Sequence, residues 1–249
     1  MKLEVCGIGK RFYDPQRGEF MACENISFNV APGEVYGLLG SNGAGKTTTL
    51  RVLATIYKPT FGQAHLGAID IVKNPQAARS KIGYLSSSMG LYERLTAQEL
   101  LFYFGELYGM SRTDLPARIN TIAETLGFTQ YLNVRAGKLS QGTRQKVSIA
   151  RSIIHDPQLL ILDEPATGLD VLATAAMHDF ILAERALGKS VVLSTHIMSE
   201  AQKLCDRIGI IDEGKLLAQG SLTELRQSTS MDAGLEEIFI ATVKGRKLE

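Results

Sequence analysis

The stretch Glu34-Val35-Tyr36-Gly37-Leu38-Leu39 reads as a strand and runs into Gly40-Ser41-Asn42-Gly43-Ala44-Gly45-Lys46-Thr47, with Thr48 directly after. The run matches G-x-x-x-x-G-K-[ST] in its required strand, loop and helix setting. Glycines let the backbone curl so that successive N–H groups face phosphate oxygens, and a helix opening near Gly45 adds its positive dipole end there. Lys46 is placed to reach the β- and γ-phosphates. The Thr47 hydroxyl suits Mg²⁺, a hard cation that takes oxygen ligands and keeps most of its waters.

A second group of chemistry-bearing residues, Asp163 and Glu164, follows the apolar run Leu159-Leu160-Ile161-Leu162. Side chains alternate along a strand, so adjacent carboxylates leave its end in different directions. Asp163 can then hold the metal through water while Glu164 faces an attacking water. His196 follows another apolar strand, 190–195, at the same sheet edge, where an imidazole can donate to a γ-phosphate and help to orient that water. His65, His155 and His178 have no such placement and read as packed or solvated side chains.

These groups need a sheet whose strand ends converge. Periodicity predicts strands at about 2–6, 25–30, 34–39, 81–85, 158–163, 190–195 and 207–212. Helices are expected from Gly45, over about 96–109, 114–127, 141–155, 171–187 and 198–205, and after Ser221. Strands 159–162 and 191–194 are apolar without alternation, as central strands of a parallel sheet covered on both faces are. Between about 86 and 155 strand signals stop, which reads as a helical insertion into an α/β core.

Composition fits a folded chain: 249 residues, 45% hydrophobic, 21% charged. A net charge of +1 makes no field that would argue for nucleic acid, and the basic Lys244 to Lys247 tail reads as a solvated end. Cys6, Cys23 and Cys205 lie far apart with no CxxC spacing, so free thiols in a reducing compartment are expected, and zinc is not. No apolar run approaches the roughly 18 residues of a membrane span, and the N-terminus lacks a signal segment, so the chain is expected in the cytoplasm.

The stretch Leu139-Ser140-Gln141-Gly142-Thr143 decides among nucleotide hydrolases, since no N-K-x-D guanine-reading pattern occurs. With it the chain resembles the ATP-binding cassette family in nearly its whole length and in the family's order of motifs. Phe12 looks like the aromatic that stacks on adenine, with Tyr13 as the alternative, Gly40 to Thr47 is the phosphate loop, and Leu139 to Thr143 resembles the signature. Asp163-Glu164 resembles the second Walker motif, Gly168-Leu169-Asp170 the D-loop, and His196 the switch histidine. The signature departs from L-S-G-G-Q at Gln141 and Thr143 but keeps a hydroxyl, Ser140, and a helix-start glycine, Gly142.

The resemblance implies a P-loop NTPase fold: a RecA-like core, an N-terminal antiparallel β-subdomain and an inserted α-helical subdomain. It implies ATP and Mg²⁺ as ligands, with a cassette over residues 1–222, the helical subdomain inserted at about 86–155, and a helical tail over 223–249. Ser140, Gly142 and Asp170 then serve the ATP of a second cassette, so that two chains close head to tail. A separate membrane permease is the implied partner, and the cassette is peripheral on the inner face of the membrane.

Within the family the wording is similar to ATP-binding subunits of NatA-type sodium exporters, in Gly37 to Arg51, Ser140 to Val147, and Met198-Ser199-Glu200-Ala201-Gln202. Drug and polysaccharide exporter subunits share much of it, and a soluble cassette ATPase without a permease is the competing class. The aromatic-rich Leu100 to Tyr108 offers residues for docking a permease, although most of them read as packing for the helical subdomain. After Gly83-Tyr84-Leu85 most cassettes carry a glutamine, where this chain has Ser86-Ser87-Ser88. Ser87 stands at that position, and its hydroxyl can contact a metal-bound water.

Overall fold

The computed structural model describes residues 1–16, 18–86, 90–229 and 233–246, and the Ser87 expectation therefore lies outside the described residues. Strands β1 (Leu3–Asp14) and β2 (Gly18–Val30) pair antiparallel, with Leu3 opposite Val30 and Phe12 opposite Phe20. This hairpin is longer than the expected 2–6 and 25–30. Register shifts between Val5 and Arg11 break the two-residue period, so the alternation fades while the pairing continues.

Strand β3 (Val35–Leu39) is buried along its whole length and hands over to α1 (Lys46–Leu53). Strands β4 (Phe61–Leu66) and β5 (Ile69–Asp70) extend the hairpin into a four-stranded sheet of order β2-β1-β4-β5. Periodicity misses β4, since only Ala64 and Leu66 of its six residues are buried. A short α2 (Pro75–Arg79) leads into β6 (Ile82–Ser86).

Between Ser86 and Leu159 the described residues form helices and one isolated bridge, Thr96 to Arg135. These helices are α3 (Ala97–Leu107), α4 (Leu115–Thr125) and α5 (Gln141–Ile153). A capping box starts α3: the Thr96 hydroxyl accepts from the Glu99 N–H, and the Glu99 carboxylate accepts from the Thr96 N–H. Leu100, Ile119 and Val147 share one hydrophobic core with Leu85, Leu162 and Leu193 of the sheet, so the helical segment packs on the core.

The chain continues through β7 (Leu159–Asp163), α6 (Val171–Ala186), β8 (Ser190–Thr195), α7 (Met198–Leu204), β9 (Arg207–Asp212) and β10 (Lys215–Gly220). The second sheet has order β10-β9-β3-β8-β7-β6, parallel except for β10, which pairs antiparallel with β9. Register brings Leu39 opposite Thr195 and Asp163 opposite Ser194. The phosphate loop, the acid pair and His196 therefore leave one edge of the sheet, where α/β folds bind ligands.

Helices α8 (Leu222–Thr229) and α9 (Leu235–Arg246) close the chain. Leu225, Leu235 and Ile238 pack with Ile208 and Ile210 of β9, so the tail covers that end of the sheet. Among the described residues no helix is long and apolar enough to cross a membrane.

Candidate active site

The loop after β3 is shaped by glycines that no other residue can replace. Gly45 takes φ +101°, and a Cβ there would lie 2.4 Å from the Ala22 carbonyl oxygen. A Cβ on Gly40 would lie 2.4 Å from the carbonyl of Ile211. Lys46 Nζ donates to the carbonyls of Gly40 at 2.8 Å and Ser41 at 3.0 Å, holding the loop closed around its own ammonium. A cavity of about 480 Å³ opens above, walled by Asn42 to Thr48, by Phe20 to Ala22, and by Glu164.

The acid pair is held by hydroxyls. Asp163 Oδ1 accepts from Thr47 Oγ1 at 3.0 Å and from Ser194 Oγ at 2.8 Å. Ser194 Oγ also accepts from the Glu164 N–H at 3.1 Å, so one side chain of β8 fixes both acids. Glu164 takes φ +49°, a conformation uncommon outside glycine, and the turn carries its side chain away from Asp163. Its Oε1 lies 3.4 Å from Lys46 Nζ and 3.4 Å from His196 Nδ1, while Oε2 accepts from Thr167 Oγ1 at 3.2 Å. Burial pushes this carboxyl up, but the charge of Lys46 and the approach of His196 outweigh it and leave Glu164 below the ordinary carboxylate range.

The donors around Asp163 fit a hard divalent cation: a carboxylate and the Thr47 hydroxyl, both oxygens, beside an open cavity. Among the described residues no group of three His, Cys, Asp or Glu side chains forms a metal cage. A cation here would lean on phosphate oxygens and water, the mode Mg²⁺ prefers.

Ser140, Gly142 and Asp170 do not join this cavity. They border a second one of about 770 Å³ between α4, α5 and α6. Ser140 caps α5 by accepting from the Thr143 N–H at 3.3 Å, and Asp170 caps α6 by accepting from the Ala173 N–H at 2.8 Å. Nothing lies within 4 Å of where a Gly142 Cβ would be, so this helix start faces open space. Gln141, the departure from the signature, donates through Nε2 to the Gly168 carbonyl at 2.7 Å and ties the start of α5 to the loop before α6.

Phe12 is absent from the cavity wall. It packs edge-on against Tyr57 with ring centroids 5.4 Å apart and lies 6.0 Å from the ring of Phe20, which does line the wall. Phe20 and Ser194 were missed by sequence reasoning, and only strand register reveals them. The remaining histidines are packed: His155 stacks on Tyr108 with centroids 3.6 Å apart, His178 pairs with Glu200, and His65 lies 3.8 Å from Asp70.

Known proteins resemble this chain over most of its length. A profile of the ABC transporter family matches residues 23–167. The ABC transporter ATP-binding protein NatA of Bacillus subtilis (strain 168) is 41% identical over 233 residues, covering 93% of this chain and 94% of the relative. The Nod factor export ATP-binding protein I of Paraburkholderia xenovorans (strain LB400) is 38% identical over 89% of this chain and 73% of its own length. A solved structure of the ATP-binding subunit of an ABC transporter superposes with a TM-score of 0.87 at 29% identity, covering 98% of this chain and all of that one.

Proposed function

Because this chain belongs to the ABC transporter family and is its ATP-hydrolysing cassette, we propose that it drives export through a separate membrane permease, with sodium as the exported ion. ATP and Mg²⁺ are its ligands. The observation that carries the catalytic reading is the placement of Glu164 Oε1 at 3.4 Å from both Lys46 Nζ and His196 Nδ1, beside the Thr47–Asp163 pair.

In this reading the N–H groups from Ser41 to Thr48 and the Lys46 ammonium hold the β- and γ-phosphates. Thr47 and Asp163 would hold Mg²⁺, which when bound would supply neutralisation of the charge on the phosphate oxygens. Glu164, an anion throughout the neutral range, accepts hydrogen bonds from the attacking water and orients it for in-line attack. His196 donates to the γ-phosphate. Phe20, which lines the cavity wall, supplies the aromatic surface for adenine, with Phe12 packed behind it.

Ser140 and Gly142 at the start of α5, with Asp170, line a different cavity from their own phosphate loop, which supports a head-to-tail pair in which each chain completes the other's site. We read residues 1–222 as the cassette, with the helical subdomain inserted at about 86–155, and 223–249 as its tail. The permease holds the cassette on the inner face of the membrane. Tyr92, Tyr103 and Leu107, exposed beside one another on and near α3, are the surface we assign to it.

Sodium follows from the resemblance to NatA-type exporters in Gly37 to Arg51, Ser140 to Val147 and Met198 to Gln202, and the 41% identity to NatA extends that resemblance over nearly both full lengths. Drug or polysaccharide export is the alternative, supported by the 38% identity to a protein named for Nod factor export. The test is co-reconstitution with the permease in vesicles and measurement of ATP-dependent sodium efflux, with Glu164→Gln as control. Efflux that needs ATP and disappears in the variant supports the reading. ATP hydrolysis without sodium movement overturns the sodium assignment and leaves the ATPase intact.

A further inference from the structure

The turn that presents His196 is closed from both sides by Thr195. Its Oγ1 accepts from the Ile197 N–H at 3.0 Å and donates to Glu200 Oε2, so the hydroxyl brackets the peptide that carries His196. Glu200 stands in the first turn of α7 and is only 5% exposed. Its other oxygen, Oε1, lies 3.4 Å from His178 Nε2, and His178 is buried on α6. The phosphate loop and the acid pair make no use of this carboxylate.

A buried ionisable pair is a poor stability device, since apolar residues of similar volume serve as well or better. Its position supplies a different role. One arm of Glu200 ends on the hydroxyl that shapes the His196 turn, and the other ends on the helix that Asp170 caps. We propose that Glu200 is the positioning residue for His196, and that the chain Thr195–Glu200–His178 ties the His196 turn to α6. The inference rests on the reading of His196 as part of the hydrolytic site. Without the carboxylate the Thr195 hydroxyl rotates freely, the bond from Ile197 weakens, and the 3.4 Å approach of His196 to Glu164 is no longer held.

The experiment is steady-state ATP hydrolysis by the purified full chain carrying Glu200→Ala, Glu200→Gln, Thr195→Val, His196→Ala, and Glu200→Ala with His196→Ala. Glu200→Ala is expected to lower kcat about tenfold, the usual loss when a supporting residue is removed, with KM for ATP changed less than about twofold. Glu200→Gln recovers most of that loss because its amide oxygen still accepts from Thr195. In the His196→Ala background Glu200→Ala adds less than about a twofold further loss, since it acts through the missing imidazole. Equal loss in both backgrounds, or an unchanged kcat in Glu200→Ala, overturns the proposal. If Glu200→Ala does not fold, Thr195→Val, which removes only the hydroxyl, carries the same comparison. Wild-type kcat in His196→Ala would instead overturn the reading of His196 itself.

Discussion

Thr47 and Asp163 stand 116 residues apart in the chain, yet the Thr47 hydroxyl donates to Asp163 Oδ1 at 3.0 Å. The bond joins the first turn of α1 to the end of β7, and it brings together two oxygen donors that a divalent cation can share. Asp163→Asn keeps the shape and an acceptor oxygen but removes the charge. The Mg²⁺ concentration for half-maximal ATP hydrolysis should rise at least about tenfold, since loss of even a supporting residue at a metal site costs that much. A titration of activity against Mg²⁺ that superposes on the wild-type curve would exclude this site.

Gly45 cannot carry a side chain. At φ +101° a Cβ is strained, and it would stand 2.4 Å from the Ala22 carbonyl oxygen. The left-handed conformation alone costs a non-glycine residue about 1–2 kcal/mol, and the clash forces β2 and the loop apart. Gly45→Ala should therefore lower the urea midpoint and weaken ATP binding together. Fluorescent nucleotide titration on the folded variant checks the second part; wild-type affinity would show that the loop tolerates the shift.

His155 sets a pH dependence of stability. Burial against Tyr108 holds its imidazole down from the usual 6.5 to about 4, and its Nε2 pairs with the Ile82 carbonyl at 3.1 Å. Above pH 6.5 the ring is neutral folded and unfolded, and its contribution is complete. As the pH falls from about 6.5 to about 4, the unfolded chain takes up a proton that the folded chain refuses, so stability is lost across that window. The loss is at most about 3 kcal/mol at 1.36 kcal/mol per pKa unit. Urea denaturation at pH 7 and pH 5 should show a smaller drop in His155→Phe than in the wild type, and equal drops would count against it.

Tyr103 is 44% exposed, with its ring edge-on to Tyr92 and Phe104. Surface replacements away from the core change stability by about 0.5 kcal/mol or less. Tyr103→Ser should thus leave the thermal midpoint and the ATPase of the isolated chain near wild type while lowering transport with the permease. Unchanged export by the reconstituted variant would remove this surface from the docking site.

The short motifs were readable because each packs its chemistry into neighbouring residues. Lys46 and Thr47 share one loop, and Asp163 and Glu164 share one strand end, so spacing alone implies their joint use. The partners that hold them are different in kind. Ser194 meets Asp163 because β7 and β8 lie side by side with those two residues opposite each other. Phe20 reaches the cavity wall because it pairs with Phe12 across a hairpin whose bulges hide its alternation. Strands β4 and β10 leave no apolar pattern because each buries too few residues, β4 only Ala64 and Leu66 and β10 only Gly220.

Residue order therefore established the α/β core, the phosphate loop, the acid pair and the histidine that follows β8, since local backbone chemistry and apolar periodicity act over a few residues. The folded chain alone decided which hydroxyl braces Asp163 and that Glu164 lies between Lys46 and His196. It also decided that Ser140, Gly142 and Asp170 border a different cavity from that of their own phosphate loop. Those relationships join positions 30 or more residues apart. They depend on strand register and helix packing, which no single stretch of chain contains.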